Sequence, residues 1–187
     1  MRIEKTILDG CLLIHDTFFA DERGYFFESF NRKTFLDQTG IDVNFVQDNQ
    51  SGSQKGVLRG LHFQLGEFAQ AKLVRVLNGR VLDVAVDIRK ESPTFGKHVA
   101  VELTGDSRTQ FFVPRGFAHG FLVLSESANF FYKCDNYYNK SSEGGIIYND
   151  PVLAIDWQLP TEELLLSDKD QVLPTLQEIK DTINFSL

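Results

Sequence analysis

A cation, an imidazole and a glycine interrupt an apolar run at Leu58-Arg59-Gly60-Leu61-His62-Phe63-Gln64, and Lys72 follows ten residues after the histidine. Polar groups set into a buried strand cost free energy unless they are paired or used. A second histidine stands in Pro114-Arg115-Gly116-Phe117-Ala118-His119-Gly120, again between strand-like runs. A free imidazole, with an ordinary pKa near ~6.5, accepts and returns protons at neutral pH. The pattern points to a pocket inside a small β-barrel, where a proton acceptor and cations converge on one ligand.

Short strands must position these groups. Strand-like runs recur at 12–16, 24–30, 43–47, 57–63, 72–77, 80–88, 98–103, 110–113, 120–124 and 129–137. Such spacing, with turns such as Asp21-Glu22-Arg23-Gly24 between runs, predicts an all-β sandwich or barrel. Residues 31–39 read as a short helix with Asn31 as N-cap and Gly40 past its end, and 176–183 as a second, amphipathic one. No repeat, low-complexity stretch or linker divides the chain, so 1–187 reads as one domain.

Asn78-Gly79 between two apolar runs is the strongest hairpin signal. A two-residue loop there pairs Leu77 with Arg80, Val74 with Asp83 and Lys72 with Ala85. Lys72 then shares a face with Asp83 and Asp87, and Asp83 is expected to orient the Lys72 ammonium.

Composition narrows the function classes. The chain carries 17 Phe, 5 Tyr and 1 Trp against a single Met, which suits many half-buried sheet faces. Its formal net charge of −7 and lack of a basic block argue against nucleic acid as a partner. Cys11 and Cys134 are too few for a disulfide framework and lack metal-ligand spacing, so both read as packed thiols in a reducing, cytoplasmic setting. Nothing in the sequence reads as a signal peptide or a membrane span.

The segment Pro114-x-Gly116-x-x-His119 resembles the second half of the cupin signature, and Gly60-x-His62 resembles the first. Gln64 stands where a metal-binding cupin has another histidine. His62 and His119 alone are too few to hold a transition metal, so neither metal nor cofactor is expected.

Taken together, the motifs are similar to those of the dTDP-4-dehydrorhamnose 3,5-epimerase family over nearly the full length. They are Asp21-Glu22-Arg23-Gly24-Tyr25-Phe26-Phe27-Glu28, Gln47-Asp48-Asn49, the Arg59-to-Gln64 run, Lys72-Leu73-Val74-Arg75-Val76, the Pro114-to-Gly120 run, Tyr132-Lys133 and Ser167-Asp168-Lys169-Asp170.

The resemblance implies a cupin-type antiparallel barrel (jelly roll) with short peripheral helices. It makes His62 the general base, where a lone strand histidine is ordinarily structural, and Asp170 the carboxylate that fixes its tautomer. Tyr132 becomes the acid on the opposite face of the sugar, and Lys72 the cation that stabilises the oxyanion formed at the C4 ketone. Arg23 and Arg59 would hold the pyrophosphate through paired hydrogen bonds. Glu28, Gln47, Asn49, His119, Glu143 and Lys169 would line the nucleotide-sugar site, and Tyr138 would stack on thymine. Strict alternation puts Arg59 and His62 on opposite faces of their strand, so either a bulge at Gly60 or a reach from the strand end must return Arg59 to the site.

The implied activity is cofactor-free inversion of C3 and C5 of dTDP-4-dehydro-6-deoxy-D-glucose, giving dTDP-4-dehydro-L-rhamnose. The resemblance also implies a homodimer in which exchanged N-terminal strands carry Arg23 and Glu28 to the neighbouring subunit's site. A single-centre epimerase of the same fold is the nearest rival. A non-catalytic nucleotide-sugar-binding cupin is a rival of another class, and a metal-dependent oxygenase a weaker third.

Overall fold

The computed structural model describes residues 1–185, and among them thirteen strands and two α-helices. In chain order the strands are β1 (Arg2–Lys5), β2 (Leu12–His15), β3 (Phe19–Asp21), β4 (Gly24–Phe26), β5 (Gln47–Gln54), β6 (Leu58–Gln64) and β7 (Lys72–Asn78). They continue as β8 (Arg80–Asp87), β9 (His98–Thr104), β10 (Thr109–Val113), β11 (Phe117–Val123), β12 (Ser127–Cys134) and β13 (Glu143–Gly145). Six strands form one sheet in the order β1-β2-β10-β7-β12-β5, five form a second as β13-β6-β11-β8-β9, and β3 pairs with β4 in a separate hairpin. Every ladder between these strands is antiparallel, and a single parallel bridge joins Val57 to Leu165. This is the cupin-type jelly roll the sequence predicts.

Period-two alternation assigns each side chain to a layer. Val74, Val76, Val81, Ala85, Phe111, Phe121 and Phe130 meet inside the barrel. Leu58, Val84, Val86, Ala118, Leu122 and Trp157 back the five-stranded sheet, while Leu12, Ile14, Phe35, Leu73 and Phe112 form a third cluster on the outer face of the six-stranded sheet. Phe111, Phe112 and Phe130 are almost fully enclosed, and each contributes on the order of 2–3 kcal/mol by leaving water.

The first helix, α1 (Arg32–Thr39), has the predicted ends. Asn31 Oδ1 accepts from the Thr34 N–H at 3.1 Å, and Gly40 closes it in the left-handed conformation at φ 73°. The second, α2 (Leu176–Ile179), keeps the Thr175–Glu178 capping box but is a single turn, shorter than the predicted 176–183.

Three other expectations need correction. The Asn78-Gly79 turn does not pair β7 with β8. Each of those strands already has both edges occupied, β7 by β10 and β12, β8 by β11 and β9, so the turn carries the chain from one sheet to the other. Gly79 has φ 86°, and a Cβ there would run into the Ser127 carbonyl. The run at 43–47 is a connection, and the strand begins only at Gln47. That strand, β5, has the wholly polar sequence QDNQSGSQ, so no hydrophobic period marks it. Finally, the 24–30 run is strand only to Phe26.

No helix of the described structure is long and apolar enough to cross a membrane.

Candidate active site

The site starts from a bulge. On β6, His62 pairs with His119 of β11, but Arg59 pairs with Phe121, so two β6 residues oppose Gly120 alone. Gly60 permits this at φ 131°, and a Cβ on it would lie 2.6 Å from the Gly120 Cα and 2.9 Å from the His119 carbonyl oxygen. The extra residue restores Arg59 to the face that His62 occupies. Of the two alternatives raised by strand alternation, the fold uses the bulge.

His62 Nε2 lies 2.7 Å from Asp170 Oδ1, with the histidine side chain 29% exposed and the carboxylate 5%. Burial acts to raise the Asp170 carboxyl. The hydrogen bond and charge of His62, aided by the Gly60 N–H at 3.5 Å and by Ser167, outweigh it and hold the group below the ordinary carboxylate value. An ionised Asp170 accepts the Nε2 proton and leaves Nδ1 as the free basic nitrogen.

Tyr132 and Lys72 come from the facing sheet. Tyr132 shares a ladder row with Asn49 and Val74, and Lys72 a row with Cys134 and Gln47. Burial raises the Tyr132 phenol, against a smaller opposing effect of Arg59, and so keeps it protonated. Burial lowers the Lys72 ammonium, while Cys134, Asp83 and Glu143 favour its charge. Lys72 has no ion-pair partner among the described residues, which leaves its ammonium available to a ligand.

The expected Lys72–Asp83 link takes a different form. Both residues face the barrel interior, but from opposite sheets, and the register behind the expectation does not exist. Asp83 instead accepts from His119 Nε2, at 2.9 and 3.1 Å to its two oxygens, and both side chains are buried. Two carboxylate-paired imidazoles thus stand side by side on the five-stranded sheet, His119 paired within the sheet and His62 with Asp170 from a turn outside it.

Polar groups continue towards the mouth. Gln47 Nε2 donates to Asn49 Oδ1 at 3.0 Å, and Gln47 Oε1 accepts from the Tyr138 N–H at 3.1 Å. Glu143 receives Lys169 Nζ at 2.6 Å and the Tyr138 hydroxyl at 3.1 Å. Burial raises the Glu143 carboxyl, but the Lys169 contact and the Tyr138 hydrogen bond prevail and lower it. Arg59 donates to Ser53 Oγ at 3.2 and 3.3 Å. The ring of Tyr138 is half exposed and free to stack.

These residues line two adjoining cavities of about 640 and 290 Å³ that share Asn49, His62, Lys72 and Tyr132. Arg59, His119, Lys169 and Asp170 border the larger, and Gln47, Tyr138 and Glu143 the smaller. Arg23 and Glu28 are not among them. Arg23 is exposed at the tip of the β3–β4 hairpin, paired with Asp21 at 2.5 Å, and Glu28 lines a separate cavity beside α1.

Sequence reasoning missed Ser51, whose buried hydroxyl lines the larger cavity without a hydrogen-bond partner, and the Phe121–Phe130 stack beside it, with centroids 4.1 Å apart. Recognising β5 as an alternating strand would have found Ser51. Both thiols are buried as expected, and Cys134 accepts a weak hydrogen bond from Asn49 at 3.7 Å. Among the described residues no group of three or more His, Cys, Asp or Glu side chains is arranged to hold a metal ion.

A jelly-roll barrel whose two sheets present a carboxylate-backed imidazole and a protonated phenol to one cleft holds a proton acceptor and a proton donor on facing walls. That defines the class as a cupin-type isomerase. The family model described as dTDP-4-dehydrorhamnose 3,5-epimerase matches residues 5–178, and the chain belongs to that family. The Salmonella typhimurium dTDP-4-dehydrorhamnose 3,5-epimerase is 54% identical over 181 residues, covering 95% of this chain and 97% of the relative. Among solved structures, the enzyme of the same name from Elizabethkingia anophelis NUHP1 is 56% identical with a TM-score of 0.92, covering 95% of this chain and 97% of that one. The dTDP-6-deoxy-D-glucose-3,5-epimerase from Legionella pneumophila Philadelphia 1, in complex with dTDP-4-keto-L-rhamnose, is 50% identical with a TM-score of 0.94, covering 100% of this chain and 98% of that one.

Proposed function

We propose that this chain inverts C3 and C5 of dTDP-4-dehydro-6-deoxy-D-glucose to give dTDP-4-dehydro-L-rhamnose, within dTDP-L-rhamnose biosynthesis, by proton abstraction and return without a cofactor. His62 removes the proton from the carbon beside the C4 ketone, and Asp170 stabilises the imidazolium so formed. The electron pair moves into the ketone, and Lys72 stabilises the resulting enolate oxygen. Tyr132 then protonates the same carbon from the opposite side. One histidine acting alone would mostly restore the starting configuration, so inversion needs a donor on the other wall.

The observation that carries this reading is the placement of His62 and Tyr132 on opposite sheets around one cleft that also holds Lys72. Gln47, Asn49, Arg59, His119, Tyr138, Glu143 and Lys169 bind the nucleotide sugar, with Tyr138 against the thymine.

Arg23 and Glu28 serve the cleft of a second copy in a cytoplasmic homodimer of single-domain chains. Supporting this, both lie away from the cleft of their own chain, and Phe19, Tyr25 and Phe26 are 69%, 60% and 72% exposed on the hairpin beside Arg23.

Incubation with the dTDP-4-keto sugar in heavy water tests the reaction. Deuterium at both C3 and C5 is expected. Label at one carbon would establish the single-centre epimerase instead, and no label at either would leave only a binding protein.

A further inference from the structure

Residues 17–28, which carry the β3–β4 hairpin, leave the barrel at Asp16 and return at Ser29. One buried amide touches both points. Gln110 Nε2 lies 2.8 Å from Asp16 Oδ2 and 2.7 Å from the Ser29 carbonyl oxygen, and Gln110 is 4% exposed. Its two amide hydrogens are sufficient for both contacts, so a single side chain closes the base of the arm. Gln110 sits on the outer face of the six-stranded sheet, in a ladder row with Ile14 and Arg75.

Two cations from the same region hold the arm's rings. The Arg75 guanidinium lies 4.8 Å from the Phe27 ring centre, and that of Arg108 lies 4.0 and 4.3 Å from those of Phe18 and Tyr25. Beyond the closure, Asn31 Nδ2 donates to Glu28 at 3.2 Å, which ties that carboxylate to the start of α1.

We propose that Gln110 is a positioning residue that clasps both ends of the β3–β4 arm and so sets where Arg23 and Glu28 stand towards the dTDP-sugar. The inference rests on the reading above that these two residues reach a substrate. Their effect is on binding, so loosening the clasp should weaken substrate capture and leave proton transfer at His62 and Tyr132 nearly unchanged.

Gln110→Met keeps the side chain's length and removes both donors. The expected result is a KM for the dTDP-4-keto sugar raised about tenfold, with kcat within about threefold of the parent. Asp16→Leu should do the same, whereas Asp16→Asn keeps an acceptor oxygen and should rescue KM to within about twofold. Because the clasp acts through the arm, the Gln110→Met effect should vanish in an Arg23→Ala/Glu28→Ala background. Trypsin should also cleave after Arg23 faster in Gln110→Met than in the parent. An unchanged KM in both Gln110→Met and Asp16→Leu, or a Gln110→Met effect that persists in full in the Arg23→Ala/Glu28→Ala background, would overturn the proposal. If Arg23→Ala/Glu28→Ala leaves KM unaltered, the placement of the arm at a substrate site is what fails. In that case the trypsin rates decide the clasp, and equal rates would reject it.

Discussion

Replacing Tyr132 by Phe separates the two halves of the proposed reaction. The change removes one oxygen and keeps the ring, which packs near Phe130 at a centroid distance of 6.0 Å. Burial holds the phenol above its ordinary value of 10.0, so at pH 7 fewer than about one in a thousand molecules has it ionised. Loss of such a proton donor costs about 10²- to 10⁴-fold in rate, or about 2.7–5.5 kcal/mol of barrier. His62 is untouched by the substitution, and its side chain is 29% exposed, so its captured proton can exchange with water. The variant should therefore wash solvent deuterium into the substrate at a rate within about tenfold of the parent, while inversion falls by at least 10²-fold. Mass spectrometry and proton NMR of the sugar, followed together in heavy water, read both rates. If deuterium uptake and inversion fell by the same factor, Tyr132 would act before or during abstraction, and its assignment as the opposite-face acid would be wrong. An unchanged rate of inversion would remove it from the reaction altogether.

Other residues give independent tests. Asp170→Asn places an amide donor against His62 Nε2, moves the imidazole proton to Nδ1 and occupies the basic nitrogen. Turnover should drop about 10²- to 10⁴-fold with little change in KM, and a variant within threefold of the parent would reject the pair. Gly60→Ala forces a Cβ to within 2.6 Å of the Gly120 backbone at φ 131°. It should destabilise the fold by about 3 kcal/mol or more in urea unfolding and raise KM through Arg59, and a neutral result would refute the role given to the bulge. Asp16 supplies a pH test, because burial lifts its carboxyl from 3.8 to about 6 against the Gln110 hydrogen bond and Arg75. A raised acid favours the fold while protonated, so this contribution is full below pH ~4 and is lost as pH rises through about 6. At about 1.4 kcal/mol per pH unit the full shift would be worth about 3 kcal/mol, and partial exposure brings the loss to about 1–2 kcal/mol. Asp16→Asn should recover that amount at pH 8 and almost none at pH 4 in paired urea titrations. A gain independent of pH would show that ionisation of Asp16 is not responsible.

Legibility differed from element to element for physical reasons. Helix α1 could be read because its signals are local: Asn31 and Gly40 act on backbone groups within four residues. Most apolar strands could be read from their alternation. Strand β5 could not, since its inward row of Gln47, Asn49, Ser51 and Ser53 is as polar as its outward row. A strand that lines a sugar cleft needs hydrogen-bonding groups on its buried side, and that requirement erased the signal used to find strands. Asn78-Gly79 reverses the chain as its residue types require, yet it joins two sheets instead of closing a hairpin. Turn chemistry fixes how the backbone bends but not which neighbours the two strands take.

The sequence alone determined the chemical inventory: a basic imidazole, a phenol, an ammonium and a few separated arginines, spaced along an all-β chain with a family's motifs in order. Only the tertiary structure decided how they meet. It set His62 and Tyr132 on facing sheets, gave Asp83 to His119 rather than to Lys72, and used the extra residue at Gly60 to turn Arg59 inward. It also brought Asp170, more than a hundred residues away in the chain, to within hydrogen-bonding distance of His62. Residue type sets what a group can donate or accept, whereas proximity across a barrel depends on strand order and register, which arise from contacts between distant segments.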